Sequence, residues 1–304
     1  MKSLSFEQPD FKKYFKEISS LVQEHLSGCL SGLNIPEALY ESMTYSLLAG
    51  GKRVRPVLCI SWAGMLGIER QRVLDFSCAI EFIHTYSLVH DDLPAMDDDD
   101  LRRGCPTNHK MHGEAMAILA GDALLTHAFY LMSETDLPAE NVLSACREIA
   151  KAAGPSGMVG GQVVDILATG ADHLDLDSLK KMHAMKTGAL IRSSCVCGAL
   201  LAGSAGAGQK DMANAADFGE SIGLAFQIVD DILDITGDEK SLGKPVGSDQ
   251  SRDKATYPRF LGLDKSRKLA QESVDRARQS LRDYSGPEKE FLSDLAQYIV
   301  DRIN

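Results

Sequence analysis

The chain has 304 residues, a formal net charge of −11 and 44% hydrophobic residues, enough apolar content for a sizeable core. Met1–Lys16 holds no apolar run of the secretory type and no stretch of about 20 uncharged apolar residues suits a membrane span, so a soluble protein without a transmembrane segment is expected. Seven cysteines are scattered, with Cys195 and Cys197 the only pair close in sequence and no CxxC spacing; reduced thiols in a cytoplasm follow, and no nucleic-acid partner is expected.

Helical patterns dominate, with no convincing run of alternating β-branched residues, so the expected fold is all-α, with residues 1–304 as a single domain. The first candidate helices run from Glu7 to Leu30, Pro36 to Ala49 and Arg55 to Met65; the motif GGKRVRP, which carries Lys52, Arg53 and Arg55, falls between the last two. Pro36 and Pro287 suit first-turn positions, where the missing N–H is not needed.

The next helix, Arg70–Asp92, carries the first chemical signal. Glu81, His84, Leu88 and Asp91 recur at three-, four- and three-residue steps and share one face. Pro94 ends the pattern, and Asp97 returns from the loop beyond it, within the run Asp97–Asp100. Carboxylates are disfavoured at a helix C-terminus, where the macrodipole is already negative, so Asp91 and Asp92 call for a compensating cation. Arg102 and Arg103 follow at once.

Further helices are expected over Lys110–Met132, Ala139–Ala152, Ser156–Thr169 and Leu176–Ala205; Gly160, Gly161, Gln162 and Asp165 lie in the third, and Lys186, Thr187 and Gly188 in the last. Helix Gln209–Thr236 carries a second cluster: Gln227, Asp230, Asp231 and Asp234 on one face among apolar neighbours. A long loop, Gly237–Pro258, holds Lys244 and Lys254 and has the length of a functional lid. Helices Asp264–Asp283 and Pro287–Asp301 complete the pattern, and Arg302 near the C-terminus could reach the site. Two acidic clusters facing one cavity would repel each other unless hard divalent cations with oxygen ligands intervened. The nearby Lys and Arg side chains then suggest a polyanion held between metal and cationic groups, as a diphosphate would be.

At this point the chain resembles the short-chain trans-isoprenyl diphosphate synthase family, most closely its bacterial farnesyl diphosphate synthases. The motifs that carry the likeness are Asp91-Asp92-x-x-x-x-Asp97 with Arg102-Arg103-Gly104, Asp230-Asp231-x-x-Asp234 with Gln227, Gly51–Pro56, His84, Lys186-Thr187-Gly188 and Gly243-Lys244-Pro245, in order from about Tyr45 to Pro258. The resemblance implies a helical isoprenoid synthase fold around a deep apolar cavity, a homodimer, and condensation of isopentenyl diphosphate with dimethylallyl and geranyl diphosphates to farnesyl diphosphate. It also implies three Mg²⁺ ions with bound diphosphate, held by Asp91, Asp92, Asp97, Asp230, Asp231 and Asp234. Substrate binding falls to Lys52, Arg55, His84, Arg102, Arg103, Lys186, Thr187, Gln227, Lys244 and Lys254, among which Lys186, Thr187 and Gln227 take catalytic roles. Tyr86, five residues before Asp91, would form the floor that limits product length, beside the small Ser87. A geranylgeranyl diphosphate synthase would share every metal motif. A class I terpene cyclase would replace the second motif by an Asn/Ser/Glu triad, and an inactive partner subunit would show decayed motifs. Glu81-x-x-His84 matches half of a di-iron signature, but no second ExxH exists.

Overall fold

The computed structural model describes residues 10–168, 175–236 and 256–303. Its main helices are α1 (Phe11–Gly28), α2 (Glu37–Leu47), α3 (Val54–Met65), α4 (Leu74–Asp91), α5 (Asn108–His112), α6 (Glu114–Ser133) and α7 (Ala139–Ala153). They continue with α8 (Met158–Ala168), α9 (Leu176–His183), α10 (Ala189–Leu201), α11 (Gln209–Thr236), α12 (Tyr257–Leu261), α13 (Leu263–Ser280) and α14 (Pro287–Asp301). The expected all-α class holds, and α11 and α14 have the bounds read from the sequence.

Helix α4 is the axle. Phe76, Ile80, Phe82, Ile83 and Val89 are buried around its circumference, as are Ser77 and Thr85. A helix apolar on all sides is enclosed by others, and α4 packs against α1, α2, α3 and α6. On the other side of α3, α10 lies against α3, α7 and α11. Gly198 permits that approach, since a Cβ there would meet Trp62 Cβ at 2.7 Å. Full burial of side chains such as Trp62, Phe76 and Phe82 supplies roughly 2–3 kcal/mol apiece.

Several expectations need correcting, each for a local reason. The helix expected over Arg70–Asp92 opens with one 3₁₀ turn, Arg70–Val73. The one expected over Lys110–Met132 is two, because Gly113 takes φ +85° and turns the chain between α5 and α6. The one expected over Leu176–Ala205 contains a π-helical turn, Ala184–Gly188, between α9 and α10, and ends in a 3₁₀ turn, Ala202–Ala205. Pro36 is the N-cap residue of α2, one place before the first turn, whereas Pro287 opens α14 as expected. Helix α12 begins inside the last residues of the expected loop and is too short for a periodic pattern to announce it. One two-residue hairpin also forms, Leu101–Arg102 against Cys105–Pro106. Its turn places Arg103 at φ 54° and Gly104 at φ 79°, the type I′ geometry that suits glycine at the second position.

Two stretches, Glu114–Ser133 and Leu176–Ala205, are long and apolar enough by length and composition to cross a membrane, although neither is uncharged: Glu114 and Asp122 lie in the first and Lys180, Lys181, Lys186 and Arg192 in the second. In α6 the cause is that both faces are apolar. Ala117, Ala120, Leu124, Ala128 and Leu131 face the core, while Ile118, Leu119, Phe129 and Tyr130 stay exposed.

Candidate active site at the mouth of the bundle

The first acidic motif sits where α4 stops. Asp91 is its last residue and Asp92 caps it. The loop then folds back, so that the Asp97 N–H donates to the Asp91 carbonyl at 2.8 Å. The Asp91 carboxyl is pushed up to about 6, chiefly by burial, with Asp97 and Asp92 adding to the rise and Lys186 and Arg102 opposing it. A buried acid pressed by two like charges binds a proton too tightly, and a cation relieves the same strain. Asp92 is already engaged. It is buried and receives Arg102 Nε at 2.7 and 2.8 Å on its two oxygens, with Arg102 Nη2 at 2.5 Å. The guanidinium also lies 3.7 Å from Asp99, and its pKa is raised despite burial because Asp92, Asp99 and Asp91 surround it.

A group of cations stands beside this wall. Arg55, near the start of α3, has a buried Nε without a hydrogen-bond partner, and burial pushes its pKa down to about 10, with Arg103 adding to the fall. Such a donor is costly unless an acceptor arrives. His84 is held well below the ordinary histidine range by burial and by Arg55, Arg103, Arg102 and Arg53, so its ring is neutral near pH 7. Arg103 donates to the Gly50 carbonyl and lies against Gly51, where a Cβ would meet its guanidinium at 2.8 Å. Lys52 is exposed, with Nζ 5.4 Å from the Tyr298 ring centre.

Arg53 does not belong to this set, contrary to its place among the expected cations. Its backbone is left-handed at φ 50°, and its side chain turns inward to Glu81 at 2.7 Å, to Gln23 and to the Leu47 carbonyl. That buried pair removes Glu81 as well from the polar line on α4, leaving His84 and Asp91.

Lys186 lies on the π turn and reaches Asp165 of α8 at 2.6 Å. Close packing puts it there. A Cβ on Gly161 would collide with the Lys186 backbone, and one on Gly219 would lie 2.6 Å from Arg192 Cα. The first contact seats α8 on the turn, and the second seats α11 on the start of α10. Thr187 shares the turn, and Gln227 lies one helical turn beyond Gly223, where α11 meets Gly188. Gln162 of α8 is buried with neither amide oxygen nor nitrogen hydrogen-bonded.

The second motif lies inside α11. Asp230 accepts from Arg302 Nη1 at 3.1 Å, and that guanidinium sits 5.7 Å from the Phe226 ring centre. Asp231 is buried and accepts the Tyr257 backbone N–H at 2.8 Å, tying α12 to α11. Asp234 is buried one turn further on. The two motifs are alike in that the second aspartate of each pair is engaged by the protein. Tyr86 is 7% exposed and sits edge-on to His90, with ring centres 5.8 Å apart. Burial and Asp91 raise its hydroxyl pKa. Ser87 donates to the His84 carbonyl at 2.9 Å. Lys244 and Lys254 lie outside the described residues.

Residues 36–288 match the model of the polyprenyl synthetase family. The chain belongs to the polyprenyl synthetase family. This polyprenyl synthetase is 48% identical to the farnesyl diphosphate synthase of Escherichia coli over 267 residues, which cover 86% of this chain and 88% of the relative. It is 46% identical over 301 residues to the large subunit 1 of a heterodimeric geranylgeranyl pyrophosphate synthase of Arabidopsis thaliana, covering 97% of this chain and 80% of the relative. Among solved structures, geranylgeranyl pyrophosphate synthetase from Pyrococcus horikoshii superposes with a TM-score of 0.87 at 30% identity, covering 96% of this chain and 98% of the other. The family elongates prenyl chains, so this is a prenyltransferase of isoprenoid biosynthesis.

The oxygen-only donor set of this polyprenyl synthetase suits a hard cation such as magnesium, and the raised Asp91 carboxyl is the observation that fits one. The sequence reading of Gly160, Gly161, Gln162 and Asp165 is close helix packing that also lines the cavity. Gly161 does pack closely, and Asp165 beside it pairs with Lys186. Lys186 follows Asp165 by 21 residues, across a break between helices, so no periodic signal links them and only the contact between α8 and the π turn reveals the pair.

Proposed function

We propose that this single polyprenyl synthetase domain makes farnesyl diphosphate, joining isopentenyl diphosphate first to dimethylallyl and then to geranyl diphosphate. The observation that carries the reading is the meeting of the Asp91 carboxyl, raised to about 6, with Lys186 and Arg102 at the end of α4. Both signs of charge needed around a metal-bound diphosphate are thus side by side.

Asp91, Asp97 and Asp230 would hold magnesium directly. Asp92 and Asp231, also expected as ligands, would act mainly by fixing Arg102 and α12, and Asp234 would complete the second wall. Bound magnesium supplies charge neutralisation for the departing diphosphate. Arg102 and Lys186 add fixed positive charge to the same leaving group, with Lys254 and Lys244 as further candidates. Isopentenyl diphosphate would lie on Lys52, Arg55 and Arg103, with neutral His84 as an uncharged hydrogen-bond donor. The unpaired Arg55 Nε would then gain its acceptor. The Thr187 hydroxyl, the Lys186 carbonyl and the Gln227 amide would turn oxygen dipoles toward the allylic cation, while the apolar helix walls exclude water. Proton removal from the condensed product falls to the released diphosphate.

Tyr86 lies roughly 7 Å below Asp91 at 1.5 Å rise per residue and supports a fifteen-carbon product. The geranylgeranyl names among relatives of similar identity favour a second reading, a twenty-carbon product. Incubation with isopentenyl and geranyl diphosphates, with and without magnesium, followed by chromatography of the dephosphorylated alcohols, separates the two. Farnesol alone from the native protein, and longer alcohols from Tyr86→Ala, are expected. Geranylgeraniol as the main native product, or an unchanged Tyr86→Ala profile, would remove Tyr86 as the floor. The exposed apolar face of α6, with Ile118, Leu119, Phe129 and Tyr130, supports a homodimer. Cysteines that are all free thiols support a cytoplasmic setting.

A further inference from the structure

Far from the acidic walls, α1 and α4 bring together a second group of ligating side chains. His25 and Cys29 lie four residues apart at the end of α1, and Asp75 and Cys78 lie three apart in the first turns of α4. One ligand atom each from His25, Cys29 and Cys78 fall within 4.8 Å of one another. Asp75 Oδ1 sits 2.6 Å from His25 Nε2. Cys78 is fully buried, and its thiol is pushed upward by burial and by the neighbouring Cys29. A cavity of about 590 Å³, lined by Leu21, Glu24, His25, Cys29, Leu74 and Asp75 among others, opens beside the group. Cys78 is 13 residues before Asp91, roughly 20 Å along the helix at 1.5 Å per residue, so the group is separate from the prenyl-transfer site.

We propose that His25, Cys29 and Cys78 form a zinc site that ties α1 to α4, with Asp75 orienting the imidazole. The donor chemistry selects the ion. Two sulfurs and one imidazole nitrogen suit zinc, whereas magnesium prefers oxygen alone. A carboxylate on a ring nitrogen of a ligating histidine is the usual outer-shell support, and it fixes the tautomer. Each helix supplies its pair on one face, so the four side chains are held by secondary structure and the ligands need only small rotamer changes to close on an ion. The cavity gives an entry path, and its solvent, or Glu24 in its lining, is available for a fourth tetrahedral position. Binding displaces the two thiol protons, and the charge of the ion offsets the burial that disfavours a free Cys78 thiolate.

The test uses the full-length protein, reduced and stripped with a chelator, then saturated with magnesium and inorganic pyrophosphate so that the acidic walls are filled. Cobalt(II) is added as a spectroscopic stand-in, and zinc competes it off. One equivalent with a thiolate-to-cobalt charge-transfer band and tetrahedral visible bands, lost on adding zinc, is expected. His25→Ala and Cys29→Ser, at partly exposed positions, should abolish the band while keeping the helical circular dichroism. Asp75→Asn should keep the band but weaken zinc binding by about 10- to 100-fold. Zinc should raise the melting temperature of the native protein and leave that of Cys29→Ser unchanged. Absence of the charge-transfer band, or its survival in both ligand variants, would overturn the proposal.

Discussion

The two acidic motifs have similar residues and opposite construction. Asp230, Asp231 and Asp234 lie within one unbroken helix, so their spacing is set by backbone hydrogen bonds alone. Asp91, Asp92 and Asp97 straddle a helix end and are gathered by the Asp97 N–H to Asp91 carbonyl bond and by Arg102 across a hairpin. One wall is rigid by secondary structure, and the other is assembled from non-local contacts. Burial and charge crowding together mark the assembled wall: Asp91 is pushed up to about 6, chiefly by burial, with Asp97 and Asp92 contributing. A site that grips a leaving group from two sides can combine a fixed wall with one whose charge responds to its ligand.

The comparison breaks most sharply at Asp91. Asp91→Ala is expected to lower the condensation rate by at least about 10²-fold with the helical spectrum intact, measured by product formation at saturating magnesium. Near-normal turnover would remove Asp91 from the metal wall. Next in size is Arg102→Ala, which takes the guanidinium away from the buried Asp92. A loss of about 3 kcal/mol in unfolding free energy is expected from denaturant titration. In the rigid wall, Asp231→Ala orphans the Tyr257 N–H and should cost about 1–3 kcal/mol. Equal losses in the two variants would erase the distinction between the walls.

The smallest effect is in pH. The folded Asp91 carboxyl titrates at about 6, above its ordinary value of 3.8, so the ion-free fold binds the extra proton. Its contribution to stability is complete below the ordinary value and is lost as pH rises through about 6. Melting temperatures in chelator should therefore fall more steeply from pH 4 to about 6 in the native protein than in Asp91→Asn. Magnesium affinity should rise over the same interval, because the ion competes with that proton. Parallel profiles for the two proteins would show that Asp91 is not crowded.

How much is legible in the sequence follows the same division. Helix α11 has the bounds expected from periodicity because nothing interrupts its ladder, and the 3.6-residue spacing puts Gln227, Asp230 and Asp234 on one face. Features that depend on contacts between distant segments are not legible. Arg53 reads as one more cation in a basic motif, and only its buried pairing with Glu81, 28 residues away, takes it out of the site. The π turn that presents Lys186 and Thr187 interrupts a stretch whose apolar pattern stays helical on both sides. The His25, Cys29 and Cys78 group has no local spacing signal, since it joins two helices about 50 residues apart. Arg302, near enough in the sequence reading to reach the site, does meet Asp230. The hairpin is hidden because two-residue strands carry too few side chains to alternate, although the Arg-Gly pair at its turn is a glycine signal in hindsight.

The most direct measurement is a crystal structure of the protein with magnesium and a non-hydrolysable allylic diphosphate analogue. The account predicts ions shared between Asp91 and Asp97 on one side and Asp230 on the other, all bound to one diphosphate, with Arg102 and Lys186 on its oxygens. Ions confined to one motif, or a diphosphate bound away from Asp230, would contradict it.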